Sequence, residues 1–422
     1  MESGEPVSDG RRVAPSVAVV GGGIVGSAIG VWLAREGYAV TVYERDLAGR
    51  PASTGNAGVI ALSEISPLAR PGTLASVPGW LLDPLGPLSV RPADLPALTP
   101  WLLRFVAAAR PSQVASGTAA LGFLMKTALA DHQELARRGG LSGHMRRTGS
   151  LHIFDSDAGF RSGEAAWKER ARHGVDYRVI SPDEARAMVP ALTGAFSHAV
   201  FAPADWTVSS PLGVLNGLRR RLEGEGLIQA ANVDAVEAAS AGILVTTADG
   251  PRTFDRAVIA GGLWSRDLVR RLGLGVVLET ERGYNTTFAG LAMDLPMPVF
   301  FDDHGFCATP LDDGVRVGGA VELADAEAPP NYQRAAAMRK KMRRYVPDLP
   351  EDGGSEWMGC RPATPDSLPV IGAHPGEPRI VFAFGHGHLG LTLSAVTARH
   401  VAGVLTGRAD RSLAPFGIER FQ

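Results

Sequence analysis

The sequence has little of several features that would assign it to a specialised class of protein. Only two cysteines occur among 422 residues, Cys307 and Cys360, and neither belongs to a CxxC pair. A disulfide framework is therefore excluded, and we expect a reducing, cytoplasmic compartment. The formal net charge is −2 and no long run of one sign occurs, which gives no support for nucleic-acid binding.

Long apolar runs are scarce as well. Residues 1–15 carry Glu2, Glu5 and Asp9 without an apolar stretch, so we expect a disordered tail rather than a signal peptide. Residues 16–34 are uncharged and long enough to span a bilayer, but they contain five glycines. A strand, a tight turn and a helix explain that stretch better, and we expect a soluble protein.

Glycine, in contrast, is abundant. The chain has 51 glycines, roughly 12% of its residues against an average near 7%, and they cluster towards the two ends. The hydrophobic fraction is 45%, which is ample for a core. A single core stops growing at roughly 250–300 residues, so we expect two domains.

The chain is predicted to open with a strand at 17–20, a helix at 24–35 and a second strand at 39–43. The turn between the first strand and the helix reads GGGIVG, which is a GxGxxG pattern at residues 21–26. Glu44 closes the second strand, 18 residues after Gly26. Strand, glycines, helix and acid together predict a dinucleotide-binding unit.

Each residue of this pattern has a physical task. Gly21 permits the tight turn, and Gly23 lets a pyrophosphate approach the backbone at the helix N-terminus. Gly26 lets the helix pack closely on the sheet, and Glu44 accepts hydrogen bonds from ribose hydroxyls. An acid at this place suits either NAD or FAD. The polar, glycine-containing loop STGNAG at residues 53–58 favours FAD, although it also fits an ordinary surface loop.

The rest of the chain alternates helices and strands. Residues 67–100 contain eight prolines, which predicts an irregular apolar segment because proline interrupts helices and central strands. Helices are predicted at 101–109, 119–138, 182–188, 211–222, 332–345 and 391–405, the third after a capping box at Ser181. Strands are predicted at 227–229, 233–238, 243–247, 257–260 and 380–384, and residues 276–321 are predicted to be mostly β.

Several motifs together resemble the D-amino-acid oxidase and glycine oxidase superfamily of flavoproteins, and within it the D-amino-acid dehydrogenases of the small-subunit type. The resemblance covers about residues 16–405. Besides the opening VAVVGGGIVGSAIGVWLAREGYAVTVYER and STGNAG, the matching segments are WLLDPLGPLSVRP, GGLWS, ERGY, WMGCRPATPDSLPVIG and FAFGHGHLGLTLSAVTARHVAGVL.

The resemblance implies an α/β fold with a Rossmann-type FAD-binding domain interleaved with an α+β substrate domain. The FAD domain would comprise residues 16–65, 203–275 and 355–415, and the substrate domain residues 66–202 and 276–354. The implied FAD contacts are Gly21, Gly23, Ile24, Val25, Gly26, Glu44, Arg45, Ser53, Asn56, Ala57, Gly58, Val233, Gly261, Gly262, Gly385, His388, Gly390, Leu391 and Thr392.

Arg361, in the motif GCRP, is the first candidate for binding the substrate carboxylate through two parallel hydrogen bonds. Three further residues are candidates for the active site: Tyr284, His304 and His386. Tyr284 fits a half-buried strand tyrosine equally well, and His304 also suits a turn. His386 and His388 are two residues apart, but without cysteine or carboxylate spacing around them we expect no metal site.

The chemistry that the resemblance implies is oxidative deamination of a small amino acid, preferably a D-amino acid. Hydride would pass from Cα to flavin N5, and the imine would hydrolyse to a 2-oxo acid and ammonia. Oxygen or a quinone would reoxidise the flavin, and the proline-rich segment could meet the inner face of a membrane or serve as a lid. Alternatives are oxidation of glycine or of a secondary amine such as sarcosine or cis-4-hydroxy-D-proline, and a flavin-binding subunit without turnover of its own.

Overall fold

The computed structural model describes residues 14–83 and 86–422. Apart from Ala14 and Pro15, which are exposed, the expected tail at residues 1–15 lies outside the described residues. The helices are α1 (Ile24–Arg35), α2 (Pro71–Leu82), α3 (Leu95–Ala108), α4 (Pro111–Gly139), α5 (Asp157–Arg172), α6 (Pro182–Met188), α7 (Pro211–Gly224), α8 (Ser265–Arg271), α9 (Gln333–Met342) and α10 (Gly390–Leu405).

The strands are β1 (Ser16–Val20), β2 (Ala39–Glu44), β3 (Val59–Ile60), β4 (Leu88–Val90), β5 (Met145–Arg147), β6 (Ser150–Phe154), β7 (Arg178–Ile180), β8 (His198–Ala202), β9 (Trp206–Val208), β10 (Ile228–Ala230), β11 (Val233–Ala239), β12 (Gly242–Thr247), β13 (Gly250–Phe254), β14 (Arg256–Ile259), β15 (Glu279–Ala289), β16 (Val299–Phe301), β17 (Phe306–Leu311), β18 (Gly314–Leu323), β19 (Ser355–Ala363), β20 (Val370–His374) and β21 (Glu377–Phe384).

A six-stranded sheet carries the predicted strand–turn–helix unit, in the order β10-β2-β1-β14-β21-β20. The first five strands are parallel, and β20 runs antiparallel beside β21. Apolar side chains of α1, α4, α7 and α10 form one core against this sheet, and those of the antiparallel sheet β11-β12-β13 belong to another. The sheet therefore has both faces covered, as parallel strands require.

A second, nine-stranded sheet has the order β19-β15-β18-β17-β16-β6-β8-β7, with β4 paired to β18. Its apolar core includes residues of α6 and α9. β19 belongs to this sheet, because residues 355–363 pair with β15 in antiparallel register. The predicted FAD domain includes this segment from residue 355, and its strand β19 forms an edge of the large sheet.

Two local predictions differ from the structure in an informative way. The proline-rich segment is not irregular, since α2 contains Pro78 and α3 begins at Leu95 and contains Pro100. α2 has no buried residue, so water can satisfy the carbonyl that a proline leaves without a donor. The capping box at Ser181 is present, with both of its reciprocal hydrogen bonds.

Candidate active site

A cavity lies at the carboxyl ends of the parallel strands, where ligands bind in open α/β sheets. It is lined by the last residues of β1, β2 and β21, which are Val20, Glu44 and Phe384, and by Ala260, which directly follows β14. Fifteen of the nineteen predicted FAD contacts line it too: Gly21, Gly23, Ile24, Val25, Glu44, Arg45, Ser53, Asn56, Val233, Gly261, Gly262, Gly385, His388, Gly390 and Leu391.

The glycine turn leads into α1 as its spacing predicts. Gly21 has a φ of +108°, and a Cβ there would lie 2.6 Å from the carbonyl oxygen of Ala260. A Cβ on Gly26 would come within 1.8 Å of the Gly21 oxygen. Gly26 therefore acts in packing behind the turn rather than on the cavity wall, which explains why it is not among the lining residues.

The N-terminus of α1 opens towards the cavity and carries no acidic side chain in its own first turn. Its N-cap is Gly23, which provides no side-chain cap. The Ile24 N–H donates to Ser53 Oγ at 3.0 Å. The helix dipole and the remaining N–H groups suit a phosphate at this place.

Glu44 is held in place by backbone donors. Its Oε2 accepts from Gly22 N at 2.7 Å, and its Oε1 accepts from Asp46 N at 3.0 Å. A carboxylate accepts about four hydrogen bonds, so capacity remains for ribose hydroxyls. Nearby, the Arg45 guanidinium stacks 3.5 Å above the centre of the Trp264 ring, and both residues line the same cavity.

The loop at residues 53–58 is tied both to itself and to the large sheet. Asn56 Oδ1 accepts from Gly58 N at 2.7 Å, and Asn285 Nδ2 donates to the Gly55 oxygen at 2.8 Å. Gly58 has a φ of +69° and a Cβ there would lie 2.6 Å from the Val208 oxygen. Ala57 and Gly58 do not line the cavity, so the geometry gives them a role in shaping the loop.

Arg361 lies on the wall that the large sheet contributes. Its Nη1 donates weakly to the Ala320 oxygen at 3.5 Å, and no carboxylate of residues 14–83 or 86–422 lies within ion-pair distance of it. Burial lowers the pKa of the guanidinium, and Glu281 on the neighbouring strand opposes this shift. Arg361 therefore offers a desolvated cation with unused donors to a ligand in the cavity.

Ala320 owes its position to an irregularity in β18. It has a φ of +44°, and the pairing of β15 with β18 shifts register between Gly283 and Tyr284. Such β-bulges commonly re-aim groups beside active sites. Here the bulge directs the Ala320 carbonyl to the Arg361 guanidinium.

The two histidines before α10 have different surroundings. The His386 ring is buried and its Nε2 lies 3.0 Å from the Thr397 hydroxyl; burial lowers its pKa to about 3. The His388 side chain is exposed to the cavity, yet the surrounding protein desolvates it and lowers its pKa, while Glu64 opposes that shift. Both histidines line the cavity, His386 with a buried side chain and His388 with an exposed one.

Tyr284 and His304 are not brought to the cavity. Successive side chains of a strand point to opposite faces of the sheet. The Arg361 guanidinium lies over Gly283, so the ring of the adjacent Tyr284 lies on the opposite face. Its hydroxyl donates to Glu322 and accepts from Asn331 N at 3.0 Å, and burial together with Glu322 raises its pKa to about 12.

His304 Nε2 contacts Asp155 at 2.9 Å and the Tyr345 hydroxyl at 2.8 Å. Thr392 does not line the cavity either. Its hydroxyl donates to the Val59 oxygen and accepts from Ala61 N. We therefore leave Tyr284, His304 and Thr392 out of the site proposed below. In the described part of the chain no group of three potential metal ligands is found.

Three cavity or near-cavity residues escaped the sequence analysis: Arg219, Trp264 and Trp357. Trp357 lines the cavity beside Arg361, and its ring fills the space that a side chain at Gly55 or Gly359 would need. A signal for Arg219 was present. It falls in the pattern 215, 218, 219, 222 of buried positions on α7, whereas the adjacent Arg220 is exposed.

The chain is similar to known proteins over nearly its whole length. A family model described as FAD dependent oxidoreductase (DAO) matches residues 16–404. A D-amino-acid oxidase of Bradyrhizobium diazoefficiens is 34% identical over 415 residues, covering 96% of this chain and 98% of the relative. A D-amino acid dehydrogenase of Paramagnetospirillum magneticum is 31% identical over 425 residues, covering 96% and 98%.

Solved structures show the same fold at lower identity. Glycine oxidase from Geobacillus kaustophilus superposes with a TM-score of 0.74 at 22% identity and covers 96% of this chain and 99% of its own. L-proline dehydrogenase from P. horikoshii has a TM-score of 0.74 at 19% identity, covering 97% and 98%.

The residues present fit the cofactor that this family uses. The open helix N-terminus, the turn in which a Cβ at Gly21 or Gly26 would clash with backbone, and the spare acceptors of Glu44 match pyrophosphate and ribose. The family resemblance, the fold class and FAD as cofactor are thereby confirmed. The chain belongs to the FAD-dependent oxidoreductase (DAO) family.

Proposed function

We propose that the protein oxidises the Cα–N bond of a small amino acid, preferably a D-amino acid, and so releases a 2-oxo acid and ammonia. The observation that carries this proposal is Arg361. Its guanidinium faces the FAD cavity with one weak hydrogen bond to the protein, at 3.5 Å. A desolvated guanidinium with free donors recognises a carboxylate through two parallel hydrogen bonds.

The protein groups contribute binding, orientation and charge. Arg361 holds the substrate carboxylate, which directs the Cα of a short substrate towards the middle of the cavity. Bound FAD supplies the two-electron acceptor for the Cα–H bond. The N-terminus of α10, at Gly390, directs its dipole into the same cavity and stabilises negative charge there.

His388 is a titratable group that lines the cavity, and the charge of Arg361 contributes to lowering its pKa. Its lowered pKa keeps the ring neutral at neutral pH, so that it adds no positive charge where the substrate amine must lie. The ring therefore provides a neutral polar wall for the amino group, whereas Arg361 provides the charge for the carboxylate.

The preference for D-amino acids rests on two relatives named D-amino-acid oxidase and D-amino acid dehydrogenase, at 34% and 31% identity over nearly the whole chain. The main alternative substrates are glycine and secondary amines such as sarcosine or cis-4-hydroxy-D-proline, since these also carry a carboxylate. Anaerobic mixing of the holoprotein with D- and L-amino acids, glycine, sarcosine and cis-4-hydroxy-D-proline distinguishes them through bleaching of the flavin band.

Bleaching by a D-amino acid and not by its L-partner supports the proposal. Bleaching by a cyclic or N-methyl amine alone would transfer the assignment to secondary amines. If no amino acid bleaches the flavin, the chain is better described as a flavin-binding subunit of a larger dehydrogenase.

We further propose that exposed apolar side chains of α2 and α3 touch a membrane from one side. Within residues 14–83 and 86–422, every helix is too short or too polar to cross a bilayer. Four apolar side chains on these helices are nevertheless exposed by about half or more: Leu81 at 48%, Leu82 at 84%, Leu103 at 67% and Val106 at 56%. Exposed apolar side chains of this kind insert at a lipid interface.

Co-sedimentation with lipid vesicles tests this contact, and Leu82→Glu with Leu103→Glu should abolish it. Absence of vesicle binding by the unaltered protein would leave the segment as a lid or packing element. The electron acceptor is a quinone or oxygen. Reoxidation rates of the reduced flavin with air-saturated buffer and with a soluble quinone decide between the two.

A further inference from the structure

A buried arginine stands behind the dinucleotide turn. Arg219, on α7, is only 4% exposed, although it opens a run of three arginines whose next member, Arg220, is exposed. Its Nε donates to the Gly22 oxygen and its Nη1 donates to the Leu47 oxygen, each at 2.9 Å. It does not line the cavity itself.

These contacts join the two segments that form one end of the cavity. Gly22 lies within the glycine turn, and Leu47 follows β2 by three residues. The N–H of Gly22 donates to Glu44 Oε2, while its carbonyl accepts from Arg219 and from the Ser27 hydroxyl. Arg219 and Glu44 thus hold Gly22 from both sides, one at its carbonyl and the other at its N–H.

The third nitrogen of the Arg219 guanidinium, Nη2, has an unusual environment. Nη2 is buried without a hydrogen-bond partner among the described residues and lies 3.6 Å from Glu44 Oε2. A buried charge is costly unless it is paired. The pairing available here is with Glu44, the residue whose remaining acceptor capacity faces the cavity.

Electrostatics give this pair a purpose. The pyrophosphate of FAD is anionic and would bind at the N-terminus of α1, within reach of the field of Glu44. A carboxylate beside a bound pyrophosphate repels it, and the low dielectric of a buried site strengthens the repulsion. A guanidinium behind the carboxylate offsets its charge and leaves its oxygens free for the ribose.

We propose that Arg219 is a positioning residue for FAD. It holds the glycine turn and the segment after β2 together. It also offsets the charge of Glu44, so that the pyrophosphate can bind in a cavity whose wall includes the Glu44 carboxylate. This role of Arg219 concerns binding of the cofactor and does not depend on the identity of the substrate.

The affinity of the apoprotein for FAD, measured by quenching of flavin fluorescence, tests the proposal. Arg219→Gln should weaken FAD binding about 10- to 100-fold. Arg219→Lys keeps the charge without the fork and should fall between Arg219→Gln and the unaltered protein. Arg220→Gln is the matched control, an exposed arginine one residue further on the same helix, and should leave the affinity unchanged.

A double-mutant cycle with Glu44→Gln separates positioning from general loss of structure. If Arg219 acts through Glu44, the combined variant should lose less affinity than the sum of the two single variants. Thermal melting of each apoprotein verifies folding. Where Arg219→Gln does not fold, the cycle is made with Arg219→Lys. Strictly additive effects, or a folded Arg219 variant that binds FAD like the unaltered protein, would overturn the proposal.

Discussion

The Arg361 guanidinium occupies the space in which a side chain at Gly283 would stand. A Cβ on Gly283 would lie 2.3 Å from Arg361 Cζ and 2.3 Å from its Nη2. The two residues are diagonal neighbours, because Glu281 pairs with Arg361 and Gly283 pairs with Gly359 across β15 and β19. The glycine in ERGY and the arginine in GCRP are therefore two halves of one feature.

Gly283→Ala should displace the guanidinium and weaken substrate binding at least tenfold. The added methyl group cannot be accommodated at 2.3 Å without moving Arg361, whose orientation decides a bidentate contact. The measurement is the substrate concentration that gives half-maximal flavin reduction. Gly372→Ala is the control, since a Cβ on that strand glycine meets nothing nearer than 3.9 Å. Equal effects of the two substitutions would argue against the Gly283–Arg361 relationship.

Arg361→Ala should weaken substrate binding by about 3 kcal/mol, roughly 100-fold, because a charge-assisted pair is lost. Arg361→Lys should retain part of that affinity, since the ammonium keeps the charge but not the parallel hydrogen bonds. Half-saturation for flavin reduction is measured with each variant, and the flavin content serves as the control. If Arg361→Ala binds the substrate as tightly as the unaltered protein, the carboxylate is held elsewhere.

The parts of the site that the sequence predicts are those whose signal is local. Gly21, Gly23 and Glu44 belong to one strand–turn–helix–strand unit, so their spacing alone indicates their geometry. Tyr284 shows the limit of that approach. A motif places it two residues after Arg282, but side chains alternate between the faces of a strand, and motif position does not reveal which face meets the cavity.

Arg219 shows the other limit. Its burial follows from the packing of α7 beside α1, which brings it to a turn nearly 200 residues away in the chain. Helix periodicity identifies it as a buried position, but not the carbonyl groups that satisfy it. The prediction of an irregular segment was wrong at α2 and α3 for a further reason. A helix tolerates a proline where water reaches the carbonyl group that loses its donor, and the sequence alone does not show that access.

A buried histidine on α10 should make the protein sensitive to acid. His400 is 4% exposed and packs beside Phe123, with Arg399 and Asp131 nearby. Burial lowers its pKa from 6.5 to about 4. Between these values the unfolded chain binds a proton that the folded protein does not. Stability therefore falls as the pH drops through this window, by up to about 1.4 kcal/mol per pH unit.

His400→Gln should remove part of that dependence. The difference in melting temperature between the unaltered protein and the variant should shift in favour of the variant as the pH falls from 6.5 to 4. Arg220→Gln, at an exposed position on α7, removes a charge that does not titrate in this window, so as the control it should leave the pH dependence as it is. Parallel pH profiles for all three proteins would contradict the assignment to His400.

Asp205 joins three distant parts of the chain. Its carboxylate is fully buried and accepts hydrogen bonds from Ser63 N at 2.9 Å, from the Ser63 hydroxyl at 2.8 Å and from the Ser150 hydroxyl at 2.7 Å. Burial raises its pKa despite these donors. The balance indicates that the hydrogen bonds, rather than the charge, make the favourable contribution.

Asp205→Ala should therefore destabilise the protein by about 3 kcal/mol, because three buried donors lose their acceptor. Asp205→Asn should cost about 1 kcal/mol, since one amide oxygen still accepts from Ser63 N and the hydroxyl groups can rotate to accept from the amide. Urea unfolding of the FAD-saturated protein measures both, with Asp176→Ala at an exposed position as the control. Equal losses for Asn and Ala would mean that the negative charge of Asp205 is what the two serines require.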